Sequence, residues 1–256
     1  MNNRFYILLI IVILIFVSLL LSINWRGEEK VEMITVTGNY SVSRDEILYA
    51  ARLSDSLISA EEVNIDLIQD RISRHPEVKK VFVSRENPQE LKIEIIEKRP
   101  VAILNGEKEI KLVDDEPDVF PLKVSQKIYD LPVISGVRID NSINPKNRYN
   151  RDDLRLALYI ILNAYKESKF LYSNISEINL SDQEKVIIYL SEDSSPVYLP
   201  RYQDRNISNQ EYRNLLDKRM KVFDSYLKSL GENHVKENVQ YVDIRFSNQI
   251  IVNSTK

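Results

Sequence analysis

Twenty-one consecutive residues, Phe5 to Trp25, carry no charge, and the run FYILLIIVILIFVSLLLSI within them is broken only by Ser18 and Ser22. Wound as a helix, such a run is roughly 31 Å long, about the thickness of one bilayer core. It predicts a membrane span over residues 5–25, a short tail over residues 1–4, and a polar body beyond. A cleaved signal peptide fits less well: its apolar core is usually ~7–15 residues long, and no alanine precedes Ala50 to build an A-x-A cleavage site. Arg4 and the amino terminus on one flank face Arg26 and Lys30 on the other, so the positive-inside rule leaves orientation open. A tiny tail before a long polar body reads most simply as a signal-anchor with the body translocated. Trp25 stands where an interfacial aromatic belongs.

Past the span the charge balance is mildly acidic. The chain has 38 Asp and Glu against 35 Lys and Arg, and the basic face a nucleic-acid binder needs is missing. There is no cysteine, which excludes disulfides, thiolate nucleophiles and cysteine zinc sites. With five glycines, the closest pair being Gly27 and Gly38, no phosphate-cradling loop can form. No cofactor is expected.

The body begins with a legible pattern. Val31 to Thr37 reads as a strand. Ser43 and Glu46 form a capping box opening a helix with Ile47, Leu48 and Ala51 on its apolar stripe. A second helix carries Ile65, Ile68 and Ile72 on one face and stops at His75-Pro76. Val81 and Val83, then Leu91, Ile93 and Ile95, alternate with polar neighbours on either side of a turn at Glu86 to Gln89, so two strands follow, each with one core face. The order strand, helix, helix, strand, strand fills residues 31–99, and Pro100 marks the boundary.

In residues 100–256, strands are predicted at Val101 to Leu104 and Glu109 to Val113, with the DDEPDVFP stretch, Asp114 to Pro121, as a turn into another. Asp153 to Phe170 is a helix with Leu154, Ala157, Leu158, Ile161, Leu162 and Tyr165 at helical spacing. Strands follow at Ile175 to Leu180, Val186 to Leu190 and Val197 to Leu199. A last helix runs from a capping box at Ser208 and Glu211 to Gly231, before a strand at Gln240 to Phe246 and a short apolar run, Ile250 to Val252. The expected fold class is α+β: a transmembrane helix, a β-α-α-β-β unit, and a C-terminal mixed α/β domain with an extended antiparallel sheet.

These residues resemble a known family, the bacterial division proteins FtsQ and DivIB. The 31–99 unit is similar to a POTRA domain. Pro76-Glu77-Val78-Lys79-Lys80-Val81-Phe82-Val83-Ser84-Arg85, then Pro88, Leu91 and Ile93, and the closing run Glu97-Lys98-Arg99-Pro100-Val101-Ala102 resemble the family's POTRA sequence. Leu131-Pro132-Val133-Ile134-Ser135-Gly136 is similar to the family's L-P-V-L-x-G segment, and Tyr241-Val242-Asp243-Ile244-Arg245-Phe246 to its terminal Y-V-D-L-R-Y strand. Two features depart from the pattern: the stretch before the span is short, and Glu116-Pro117 stands where the family often has a glycine turn.

The resemblance implies a scaffold in the cell inner membrane, with its domains outside the cytoplasm at the division septum. Such a scaffold recruits FtsB- and FtsL-like bitopic proteins, and other divisome members through the POTRA unit. It implies docking by strand addition along the C-terminal strand, with Val242, Ile244 and Phe246 on a core face and Tyr241, Asp243 and Arg245 on a polar one. Arg245 matches the family's partner-contacting arginine and Arg201 aligns with a second. Phe246, Asn248, Gln249 and Ile250 line the same edge, though Phe246 and Ile250 fit a core equally well. Val31 to Thr37 is a candidate edge of the POTRA unit.

Two other classes fit less well. A wall enzyme would use Ser225-Tyr226-Leu227-Lys228 as an S-x-x-K, but Ser142-Ile143-Asn144 lies upstream of it and there is no K-T-G, the only threonines being Thr35, Thr37 and Thr255. Asp114, Asp115 and Glu116 read as a turn rather than a glycosidase pair. His75 and His234 read as a helix-end and a loop residue, without a metal or base role. A secretion or outer-membrane assembly protein would need further POTRA units or a barrel, and neither is legible.

Overall fold

The computed structural model describes residues 10–19, 30–53, 58–59, 63–87, 89–106, 109–123, 128–140, 148–202, 206–233, 238–247 and 249–255. The chain divides into two compact units, Met1–Lys98 and Arg99–Lys256.

Residues 10–19 form a helix, α1, whose side chains are apolar on every face except at Ser18. Ile10 through Val17 and Leu19 are all 44–63% exposed. A helix with no polar stripe cannot lie half-buried on a globular surface. Among the described residues no helix is long and apolar enough to cross a membrane. Residues 1–9 and 20–25, the remainder of the expected tail and span, lie outside the described residues.

The strand expected from Val31 to Thr37 is two strands. β1 (Lys30–Val31) and β2 (Met33–Thr37) part at Glu32, where the N–H groups of Glu32 and Met33 both donate to the Gln89 carbonyl. α2 (Arg44–Ala51) opens with the expected capping box: the Ser43 hydroxyl accepts the Glu46 N–H at 3.2 Å, and the Glu46 carboxylate accepts the Ser43 N–H at 3.0 Å. A short strand missed in the sequence, β3 (Ile58–Ser59), pairs antiparallel with β1.

α3 (Ile65–Ser73) is capped by Asn64 and buries Ile68 and Ile72. β4 (Val78–Asn87) and β5 (Glu90–Glu97) form the antiparallel hairpin, and β2 joins β5 in parallel, giving the order β2-β5-β4. Val81, Val83, Leu91, Ile93 and Ile95 all face the helices and are buried, as their alternation requires.

One contact explains the glutamate of the E-K-R-P run. The Glu97 carboxylate accepts the N–H groups of Tyr40, Ser41 and Val42, each at 2.8 Å, and so clamps the loop that leads into α2.

The second unit is one nine-stranded sheet with helices. Its strands are β6 (Pro100–Asn105), β7 (Ile110–Asp114), β8 (Val119–Pro121), β9 (Val133–Ser135), β10 (Ile175–Asn179), β11 (Lys185–Leu190), β12 (Pro196–Pro200), β13 (Asn238–Asp243) and β14 (Ile251–Thr255). Three helices interrupt them: α4 (Arg151–Glu167) and α5 (Lys169–Ser173) between β9 and β10, and α6 (Gln210–Asn233) between β12 and β13. The spatial order is β14-β13-β12-β11-β10-β9-β6-β7-β8.

The expected antiparallel sheet is in fact mixed. β6 and β9, β9 and β10, and β12 and β13 run parallel. Helical crossovers impose two of these pairs, because a strand followed by a helix returns to the sheet in the same direction. The helices close one face of the sheet over a core that includes Leu104, Ile134, Leu154, Ile178, Ile188, Leu199 and Phe223.

One helix stripe and one helix cap differ from the sequence reading. On α4, Leu162 and Tyr165 are exposed whereas Leu156, Ile160 and Ala164 are buried, because this helix packs against α6 as well as the sheet. α6 is capped by Asn209 rather than Ser208. The Tyr212 N–H donates to Asn209 Oδ1 at 3.0 Å, and the helix buries Tyr212, Leu216, Met220, Phe223 and Leu227.

Candidate partner-docking edge

The expected open margin at Gln240 to Phe246 is already covered. β13 ends at Asp243 and has a neighbour on each side: β12, with Val197 opposite Val242, and β14, with Val252 opposite Val242 and Ile251 opposite Asp243. The run from Ile250 to Val252 folds back as a strand of its own. The edge therefore passes to β14, which has a single strand neighbour among the described residues.

Around that edge lie four large exposed apolar side chains: Phe246 at 44%, Ile250 and Ile251 at 37%, and Val252 at 41%. Phe246 does not join Val242 and Ile244 in the core, since the strand has ended three residues earlier. Gln249 is exposed beside Ile250, and Asn248 lies outside the described residues.

Arg245 keeps the polar face expected of it, but its guanidinium is engaged. Nε and Nη2 donate to both oxygens of Asp243, at 3.0 and 2.7 Å, and its backbone N–H donates to the same carboxylate at 3.1 Å. Burial alone pushes the Asp243 carboxyl up. The Arg245 hydrogen bonds and the nearby Arg245 and Lys185 charges outweigh this and hold it below the usual carboxylate range. The fork still leaves 31% of the Arg245 side chain in solvent, at the end of β13. Beside it, on the face away from the helices, Tyr198 stacks on Tyr241 with centroids 5.3 Å apart, and Lys185 Nζ sits 4.0 Å from the centre of the Tyr198 ring.

Arg201 sits elsewhere and is enclosed. Its side chain is 8% exposed, donates to the Leu180 and Asp182 carbonyls at 2.5 and 2.6 Å, and pairs with Asp153 at 2.7 Å. Asp153, 2% exposed, also takes three hydrogen bonds from Arg138. Burial raises the Asp153 carboxyl, and the Arg138 hydrogen bonds with the two arginine charges overcome that and lower it. This triad joins the segment after Gly136, the start of α4 and the end of β12. It walls one side of a cavity of about 280 Å³ with Tyr202, Ile207 and Tyr212. Gly136 itself has φ +67°, and a Cβ there would meet the Ser181 nitrogen at 2.4 Å, so the glycine of the L-P-V-I-S-G segment is required by close approach.

The side chains of the enzyme alternatives are occupied with structure. The Ser225 hydroxyl donates to the Lys221 carbonyl and Lys228 pairs with Asp224, so the S-x-x-K residues do not address each other. Asp114 Oδ1 accepts the N–H groups of Glu116 and Asp118, which makes the acidic stretch a turn. His75 Nδ1 accepts the Glu77 N–H just after α3, and His234 lies outside the described residues. No group of three metal-ligating side chains occurs among the described residues.

Comparison with known proteins matches both units. The family model for the POTRA domain, FtsQ-type, matches residues 29–98, and that for Cell division protein FtsQ/DivIB, C-terminal, matches residues 102–245. The chain belongs to the FtsQ/DivIB family.

Similar proteins include the Cell division protein FtsQ of Geotalea daltonii, 25% identical over 226 residues, covering 87% of this chain and 75% of that protein. The FtsQ of Syntrophotalea carbinolica is 26% identical over 225 residues, covering 87% and 73% respectively. The FtsQ of Koribacter versatilis is 23% identical over 235 residues, covering 90% of this chain, which spans 62% of that relative's length. The match to the C-terminal family model stops at Arg245, ahead of β14.

Proposed function

We propose that this protein is a non-enzymatic division scaffold, anchored in the inner membrane by residues 5–25 with its two units outside the cytoplasm. It recruits FtsB- and FtsL-like bitopic proteins to the septum by accepting a strand along β14. The carrying observation is the single-neighbour strand β14, bordered by exposed Phe246, Ile250, Ile251 and Val252. An unpaired row of backbone donors and acceptors beside apolar side chains is what strand addition uses. The surface of α1, apolar except at Ser18, and the uncharged run around it support the anchor.

Within this reading Arg245, Phe246, Gln249 and Ile250 flank the docked strand, with Asn248 in the same connection. The role of Arg201 shifts. Enclosed by Asp153 and two carbonyls, it holds the end of β12 in place and offers a partner only what its cavity admits. β2, whose one strand neighbour among the described residues is β5, gives the POTRA unit an edge of its own for other divisome members and for lipid-proximal assembly.

The test is co-purification of the full chain from membranes with FtsB- and FtsL-like proteins, with and without residues 251–256. Loss of both partners in the truncated chain, with the POTRA unit still protected from hydrogen exchange, is expected. Undiminished recovery would end the strand-addition account. Arg245→Glu places a second carboxylate against Asp243 and is expected to weaken partner binding by roughly 2–5 kcal/mol, if docking desolvates this pair.

A further inference from the structure

One turn of α6 carries three cations that the fold leaves uncompensated. Lys218 and Lys221 are exposed, and Arg219 is 5% exposed between them; none has a carboxylate within ion-pair distance among the described residues. Arg219 is the most telling. Its Nη1 donates to the Ser247 carbonyl at 3.3 Å, while its buried Nε has no acceptor. A guanidinium taken out of water with one neutral hydrogen bond is costly, and natural folds normally pair it.

This turn lies at the proposed docking edge. Ser247 belongs to the connection between β13 and β14. A trough of about 410 Å³ runs from Lys221 along Val222, Ser225, Tyr226 and Ser229 to Ile250. The register carries the trough onto the edge strand. Val252 stands opposite Val242, which is buried on the helix side, so Val252 projects toward α6, while Ile251 and Asn253 face the other way beside Asp243 and Tyr241. A strand laid along β14 would send every second side chain over Val252 and into this trough.

We infer that the segment accepted by β14 is an acidic amphipathic strand, with apolar side chains alternating over the trough between α6 and Val252 and Asp or Glu carboxylates beside Lys218 and Lys221. This rests on the strand-addition reading and adds the chemistry of the partner. The two lysines supply complementary charge, and the field of the buried Arg219 reinforces it from beneath. Opposite the helices, Asp243 and Arg245 already satisfy each other, so the charge preference belongs to the α6 side.

The test uses the full chain in lipid nanodiscs and three synthetic peptides of 11 residues sharing one alternating Val/Thr centre. Each end carries two adjacent Glu, two Gln or two Lys, so that either strand register presents one such residue to α6. Affinity is expected to fall in the order Glu, Gln, Lys, with about tenfold between the extremes at low salt and less at high salt. Lys218→Glu with Lys221→Glu should reverse that order, and deletion of residues 251–256 should abolish binding of all three. Equal affinities that vanish on deletion would overturn the acidic preference and leave the edge standing. Binding that survives the deletion would overturn the edge itself, and failure of every peptide to bind the intact chain would overturn both.

Discussion

The two units are held together by different physics. In the first, among the described residues, every fully buried side chain is apolar, and the charged groups sit on the rim, as Lys92 does between Glu86 and Glu94. In the second, buried Asp114, Asp153, Arg219, Asp224 and Asp243 are built into the sheet ends and helix contacts. Alternation and helical spacing are enough to assemble the first. The second needs particular charges to meet across long stretches of chain, such as Asp153 with Arg201, and so it is the more easily broken by one substitution or by acid.

The sharpest way to test that contrast is Asp153→Ala. It strands Arg201, whose side chain is 8% exposed, and is expected to destabilise the second unit by about 3–5 kcal/mol. Hydrogen exchange should quicken in β12 and the start of α4, with the POTRA amides unmoved. The reciprocal change, Ile93→Ala, empties a fully buried position between the POTRA sheet and its helices and should cost that unit about 2–4 kcal/mol, read on β4 and β5 amides.

Acid should separate the units next. Asp153 and Asp243 have folded-state pKa values below the ordinary carboxylate range. Their contribution is therefore fully present above the unfolded value, near 4, and is lost as pH falls through the lower folded values. Exchange in β12, β13 and α4 should rise below about pH 4 before that in β4 and β5; loss of protection in the reverse order would break the comparison. The smallest effect expected is that of Glu97→Ala. It releases three backbone N–H groups at a half-exposed loop and costs about 1–2 kcal/mol, seen as faster exchange at Tyr40 to Val42.

The same contrast decides what could be read from residues alone. The capping box at Ser43, the stripe of α3 and the alternation of Val81, Val83, Leu91, Ile93 and Ile95 are short-range patterns, and each takes its expected place. β3 was invisible because a two-residue strand has no period. In the second unit the strands were legible but their order was not, because the pairing of β9 with both β6 and β10 depends on crossovers. The outermost strand among the described residues lies one strand beyond the expected one. The run Ile250 to Val252 was apparent, but nothing local says that it turns back onto Asn238–Asp243. The enclosure of Arg201 is hidden for a similar reason: Asp153 lies 48 residues away. Arg219 gave no signal, since an arginine amid lysines on a polar-looking helix reads as solvated until the fold buries it.

The far margin of the nine-stranded sheet bears on how such an assembly ends. β8 has three residues and finishes at Pro121, which has no amide hydrogen to offer, whereas β14 has five residues and no proline. Of the two outermost strands, β14 is therefore the better template for further pairing. Under the strand addition proposed above, this asymmetry would leave one margin of the sheet suited to a guest strand and the other blunted against it.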